Sequence, residues 1–226
     1  VAERKAEQRA AAAAAAEAAR RQKLAEKAER KRLEKERKLD TSAEVIDIVV
    51  GHAKKFLEAH FEADVGKAQA CEVNPCLIEG CHAMELFCNA LKQRGGAVYK
   101  KKLDQAIIAW HGTRSDEGLA GICREGFDPR RRKGQAHGPG EYFGQRAAVS
   151  MGYAGNTKRL IIAVLLQEKE TSTHGNFCYV VNNPLDLSMA FSLPVLVVSF
   201  AGGLPNIPWV LSKSERLIEI IPRPAR

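Results

Sequence analysis

After Lys102 the chain breaks into short, continuous apolar runs separated by loops, at residues 106–110, 160–166, 177–181 and 194–200. Runs this short, rich in Val, Ile, Leu and aromatics, predict buried β-strands, because a helix needs a longer stretch to bury one face. Residues 216–221 fit either a last strand or a short helix. Before Lys102 the apolar residues recur at helical spacing instead. Helices first and strands afterwards imply an α+β domain. No internal repeat is present.

Residues 3–38 are almost wholly Ala, Glu, Lys, Arg and Gln, all strong helix formers, and predict one long charged helix. Opposite charges fall four apart, as at Glu26 and Arg30, and each well-oriented pair adds about 0.3 kcal/mol. Leu24, Leu33 and Leu39 are too sparse for a strong heptad seam, so any coiled-coil character is compositional. A solvated arm that docks on a protein assembly is the expectation. Interleaved glutamates make nucleic acid a poorer partner. Thirteen Lys/Arg against eight Asp/Glu in residues 1–40 supply most of the net charge of +8, so the charge describes the arm rather than a site.

Asp40-Thr41-Ser42 is expected to break this helix, with Thr41 and Glu44 at capping-box spacing. A second helix follows to about Phe61, its apolar face made by Val45, Ile48, Val49, Ala53, Phe56 and Leu57. A third starts near Pro75, buries Ile78, Cys81, Met84, Leu86 or Phe87, Cys88 and Leu91, and stops at Gly95-Gly96. The expected division is a docking arm at 1–40, a short helical segment at 41–102 and a catalytic domain at 103–226. No apolar run is long enough to cross a bilayer and no signal-peptide pattern opens the sequence, so no membrane partner and an intracellular setting, cytoplasmic or nuclear, are expected. The six cysteines then read as reduced thiols, and Cys71, Cys76, Cys81 and Cys88 lack the CxxC pairs of a zinc site. No metal is expected.

Trp110-His111-Gly112-Thr113-Arg114 follows a predicted strand. A histidine at a strand end exposes a ring donor, and the glycine beside it admits close approach of a ligand. Gly138-Pro139-Gly140-Glu141-Tyr142-Phe143 reads as a glycine-rich turn entering a strand; it does not open a helix, so it is no Rossmann fingerprint. Ser150 and Tyr153 are placed one helical turn apart on one face, where a hydroxyl and an aromatic ring suit a flat, amide-bearing ring.

Taken in order, these motifs resemble the catalytic domain of the poly(ADP-ribose) polymerase family. The resemblance spans roughly residues 105–200. It implies an ADP-ribosyltransferase fold with two packed, mainly antiparallel sheets, preceded by helices, and NAD as the bound substrate. It implies that His111 bonds a ribose hydroxyl of the adenosine half, and that the Gly112 backbone and Ser150 hold the carboxamide. Tyr142 and Tyr153 sandwich the nicotinamide, and Thr113, Gly140 and Phe143 complete the pocket. It also implies a donor loop at 128–137, where Arg130, Arg131, Arg132 and Lys133 face the pyrophosphate.

The family places a glutamate in a later strand, where it bonds the nicotinamide ribose and supports chain elongation. Cys178 stands at that position, and a thiol cannot replace the carboxylate's charge. Glu141, Glu168 and Glu170 do not fall at the matching position. Transfer of one ADP-ribose to a protein or nucleic-acid acceptor is therefore expected rather than polymer synthesis. A catalytically inactive module of a larger assembly, and a sensor that binds without turnover, are the other readings.

Overall fold

The computed structural model describes residues 2–64, 68–78, 80–93, 99–200 and 217–218. Contacts divide the chain into two units, Val1–Thr41 and Ser42–Arg226. The first is helical from Ala2 onward and exposed over residues 16–30. Arg21 reaches Glu17 at 2.7 Å and Gln22 donates to Glu26 at 3.1 Å, the one-turn pairs of a solvated helix.

Helix α1 runs Ala2–Asp64 without interruption, so the break expected at Asp40-Thr41-Ser42 is not formed. A capping box helps only where backbone N–H groups lack intrahelical partners, and inside a continuous helix they have them. Glu44 pairs instead with Lys100.

In the second unit, the apolar stripe Val45, Val49, Ala53 and Leu57 is fully or almost fully buried. Strand β1 (Ala68–Val73) precedes α2 (His82–Gln93), α3 (Tyr99–Asp104), β2 (Ile107–Gly112) and α4 (Asp116–Glu125). Then come β3 (Glu141–Gly144), α5 (Ala147–Met151), β4 (Arg159–Leu165), β5 (Thr171–His174), β6 (Cys178–Val181), β7 (Ser192–Phe200) and β8 (Leu217–Ile218).

The third helix begins at His82, not at Pro75, because Asn74 organises a turn there. Its Oδ1 accepts from Cys76 N at 3.0 Å, while Nδ2 donates to the carbonyls of Cys123 and Pro194. Ile78 is correspondingly exposed and Cys81 lies before the helix. Gly95-Gly96 and the rest of 216–221 lie outside the described residues.

Among the described residues the strands form one antiparallel sheet in the order β5-β6-β3-β2-β4-β7-β1-β8. The expectation of two packed sheets is corrected to a single sheet with a weak seam. β2 pairs with β4 along its whole length but meets β3 at one position, Trp110↔Gly144. The Gly144 N–H goes to the Ser150 hydroxyl at 3.3 Å, which diverts a group that an ordinary ladder would use.

Every residue of β4 and β7 is buried, as in strands covered on both faces. α2 packs on β7 and on α4. Trp110 lies between Phe56 and Phe200, with ring centroids at 5.6 and 6.3 Å, and fastens the end of α1 to the sheet beside the seam. Trp110→Ala is expected to cost about 3–5 kcal/mol, read as a lower denaturant midpoint with an unchanged slope.

Candidate functional site

The seam brings together residues from three segments. At the end of β2, His111 Nδ1 lies 2.9 Å from the Tyr142 carbonyl. A carbonyl only accepts, so Nδ1 carries the proton. The ring meets Phe127 edge-on at 5.0 Å and tilts against Phe143 at 5.5 Å. Burial in this setting holds its pKa below the usual histidine value, and the imidazole is neutral near pH 7. Nε2 therefore holds a lone pair. The ring nitrogen left for a ligand is an acceptor, suited to a hydroxyl, and not the donor expected from the sequence.

Gly112 lies against α5. A Cβ there would collide with the Ser150 carbonyl. The closeness of strand and helix requires glycine here. Ser150 is buried, donates from Oγ to the Trp110 carbonyl at 2.8 Å and accepts from Gly144 N. Its hydroxyl ties β2, β3 and α5 together. Thr113 follows, its carbonyl 3.4 Å from Thr157 Oγ1, which donates to the nearer Ala154 carbonyl at 2.7 Å.

Tyr142 leaves β3 half-buried, and its hydroxyl accepts from His137 N at 2.7 Å and donates to the Gly138 carbonyl at 2.8 Å. Gly138 sits at φ 92°, a backbone that side chains resist, so the turn over the tyrosine needs glycine there. Gly140 is pressed against Val180 and Val181 of β6. Phe143 is fully buried beside His111. Ser150 and Tyr153 do not share a helix face as expected: α5 ends at Met151, and Tyr153 lies beyond it, 59% exposed, while Ser150 points inward. The tyrosine ring is an open platform at the edge of the seam.

The three arginines of the basic run are engaged within the protein. Arg132 Nε donates to Glu141 Oε1 at 2.7 Å, and its other nitrogens reach Asn182 Oδ1 at 3.0 Å and the Asn183 carbonyl at 2.7 Å. Both charged side chains are buried. Burial lifts the Glu141 carboxyl pKa against the opposing pull of Arg132. Arg130 forks onto Asp128, and Arg131 approaches the same carboxylate at 3.7 Å. Arg130 and Arg131 border a cleft of about 410 Å³ that also includes His82, Arg124 and Asn183. Arg132 thus braces the 128–140 loop instead of facing a pyrophosphate.

Cys178 opens β6, opposite Gly144 on one side and His174 on the other. It is buried, and burial pushes the thiol pKa up, away from the thiolate. Glu168 is held by Lys102 at 2.6 Å. The six cysteines form no disulfide, and among the described residues no three His, Cys, Asp or Glu side chains gather as a metal site. Among them, too, no helix is long and apolar enough to cross a membrane. Sequence reasoning gave His137, Ser172 and His174 no role. The only signal was a polar strand ending at His174-Gly175, which has no apolar period.

Fold and site together define the class: an α+β domain whose antiparallel sheet parts at a seam carrying a histidine–glycine strand end and flanking tyrosines. The family model described as Poly(ADP-ribose) polymerase catalytic domain matches residues 87–178, from within α2 to the first residue of β6. It is the family that the motifs resemble, and its domains use NAD, so the match points to an ADP-ribosyltransferase. No curated protein matches the sequence significantly.

Two outcomes follow from the geometry. Arg132→Ala strands a buried carboxylate and is expected to cost about 3–5 kcal/mol, whereas Arg132→Met with Glu141→Leu should cost much less; thermal denaturation of both variants distinguishes them. His111 titrates lower folded than unfolded, so between those values the unfolded chain binds the extra proton. Stability should therefore fall on acidification below about pH 6.5, and His111→Gln should reduce that slope in urea titrations taken at several pH values.

Proposed function

We propose that this chain is an NAD-dependent transferase that moves a single ADP-ribose unit to an acceptor and releases nicotinamide. The observation that carries the reading is the neutral His111, whose Nδ1 is fixed by the Tyr142 carbonyl and whose Nε2 is left to accept from a ribose hydroxyl. Tyr153 is exposed enough to stack on nicotinamide, with Tyr142 opposite it in the assigned pocket. Gly112, Ser150, Thr113, Gly140 and Phe143 shape the seam around them.

The reaction asks little of the protein as acid or base at the leaving group. Nicotinamide departs neutral, with the electron pair of the broken glycosidic bond, through an oxocarbenium-like state. Positioning and electrostatic stabilisation supply the rate. Cys178, buried and uncharged, gives no carboxylate for a growing polymer. A protein acceptor, and a docking role for the helical arm, accompany this reading.

A second reading has its own support. The Ser150 hydroxyl is already satisfied by Trp110 and Gly144, and it has to give up its bond to Trp110 to donate to a carboxamide. A module that keeps the fold without turnover, docked through its arm, fits that arrangement. Thermal shift with NAD and with nicotinamide separates the readings. Stabilisation by both is expected, and no shift at millimolar ligand would sink the NAD site. Labelled NAD should leave short, unextended labels; a polymer ladder would refute the argument from Cys178. Deleting residues 1–38 should leave NAD binding unchanged.

A further inference from the structure

Strands β3, β6 and β5 bring His174 and Ser172, which the NAD-site reading leaves without a role, beside residues that it uses. Residues paired across an antiparallel ladder project from the same face, as do residues two apart. Gly144, Cys178 and His174 lie on one rung, and Tyr142, Val180 and Ser172 on the next but one, so all six share a face. His174 is thus the immediate neighbour of Cys178, on the side away from the seam. The imidazole of His137, from the 128–140 loop, covers this face: its centroid is 4.8 Å from His174, 5.3 Å from Phe177 and 6.2 Å from Tyr142.

His174 is also oriented. Its Nε2 lies 3.0 Å from Ser172 Oγ, a contact that sets the direction of the ring, while the Val180 carbonyl stands farther from that oxygen, at 3.5 Å. The hydroxyl can give or take the proton in this contact, and when it accepts from Nε2–H the lone pair stands on Nδ1. A histidine oriented by a third group is the arrangement of an activated nucleophile site.

We propose that His174 is the proton acceptor of this enzyme, a role that the buried Cys178 thiol cannot fill, and that the acceptor class is a hydroxyl. The inference rests on the NAD-site reading. The acceptor oxygen bonds to the anomeric carbon of the nicotinamide ribose as the carbon–nitrogen bond breaks and its pair leaves on nicotinamide. The acceptor's proton passes to His174 Nδ1 and then to solvent. A carboxylate acceptor has no proton to lose and would gain nothing from this base; an alcohol, or water in its absence, gains most.

The test is nicotinamide release by the full chain, with NAD binding measured in parallel by thermal shift. His174→Gln should lower release about 100-fold while NAD binding stays within about two-fold, and Ser172→Ala should lower it less. The wild-type rate should rise with pH, because only the neutral ring can take the acceptor's proton, and the rise should vanish in His174→Gln. The titratable groups facing His174 are His137, Tyr142 and Cys178, and burial pushes the thiol upward. The rise should therefore persist in His137→Gln.

Wild-type release in His174→Gln, an unchanged pH profile in that variant, or a pH rise that disappears in His137→Gln instead would overturn the proposal and leave the NAD site standing. So would NAD binding without nicotinamide release by the wild-type chain. Absence of NAD binding would remove the underlying reading as well.

Discussion

A buried serine hydroxyl governs the geometry around it. Ser150 donates to the Trp110 carbonyl and accepts from the Gly144 amide, so one oxygen bridges β2, β3 and the start of the turn that carries Tyr153. Where it intervenes, the ladder between β2 and β3 shrinks to a single pair. The opening leaves room for His111 to reach the Tyr142 carbonyl. Gly112 and Gly144 are small because the helix holding Ser150 presses on both. A larger residue at either position would move the serine, and with it the register of everything around the seam.

Much of this was legible in the sequence. The four apolar runs after Lys102 became β2, β4, β6 and β7, most plainly β4 and β7, whose burial on both faces leaves an uninterrupted apolar signature. The strands that left little trace are those with mixed composition. β1 carries the buried Glu72, and β5 is Thr-Ser-Thr-His, half-buried at both ends and exposed between. Pattern matching sees side chains facing one medium, and neither strand does. The helix starting at His82 was misplaced because Asn74 satisfies by its side chain the turn that proline alone suggested.

The site was legible by residue type and less so by role. His111 and Tyr142 meet, but the imidazole presents an acceptor where a donor was expected. Four consecutive basic residues suggest a phosphate cradle, yet Arg132 is spent on Glu141 and two asparagines, and Asp128 takes Arg130 and Arg131. Charge composition cannot distinguish a cation aimed outward from one folded back, because both need the same residue. The partner decides, and here the partners are nine residues on at Glu141 and fifty on at Asn182 and Asn183.

That brace has a consequence for access. Tied at Arg132 to β3 and to the segment after β6, and at the Tyr142 hydroxyl to His137 and Gly138, the 128–140 loop is fastened at two points along its length. A loop held this way cannot swing as a flap without breaking a buried ion pair. Tyr153, 59% exposed past the end of α5, stands outside that brace.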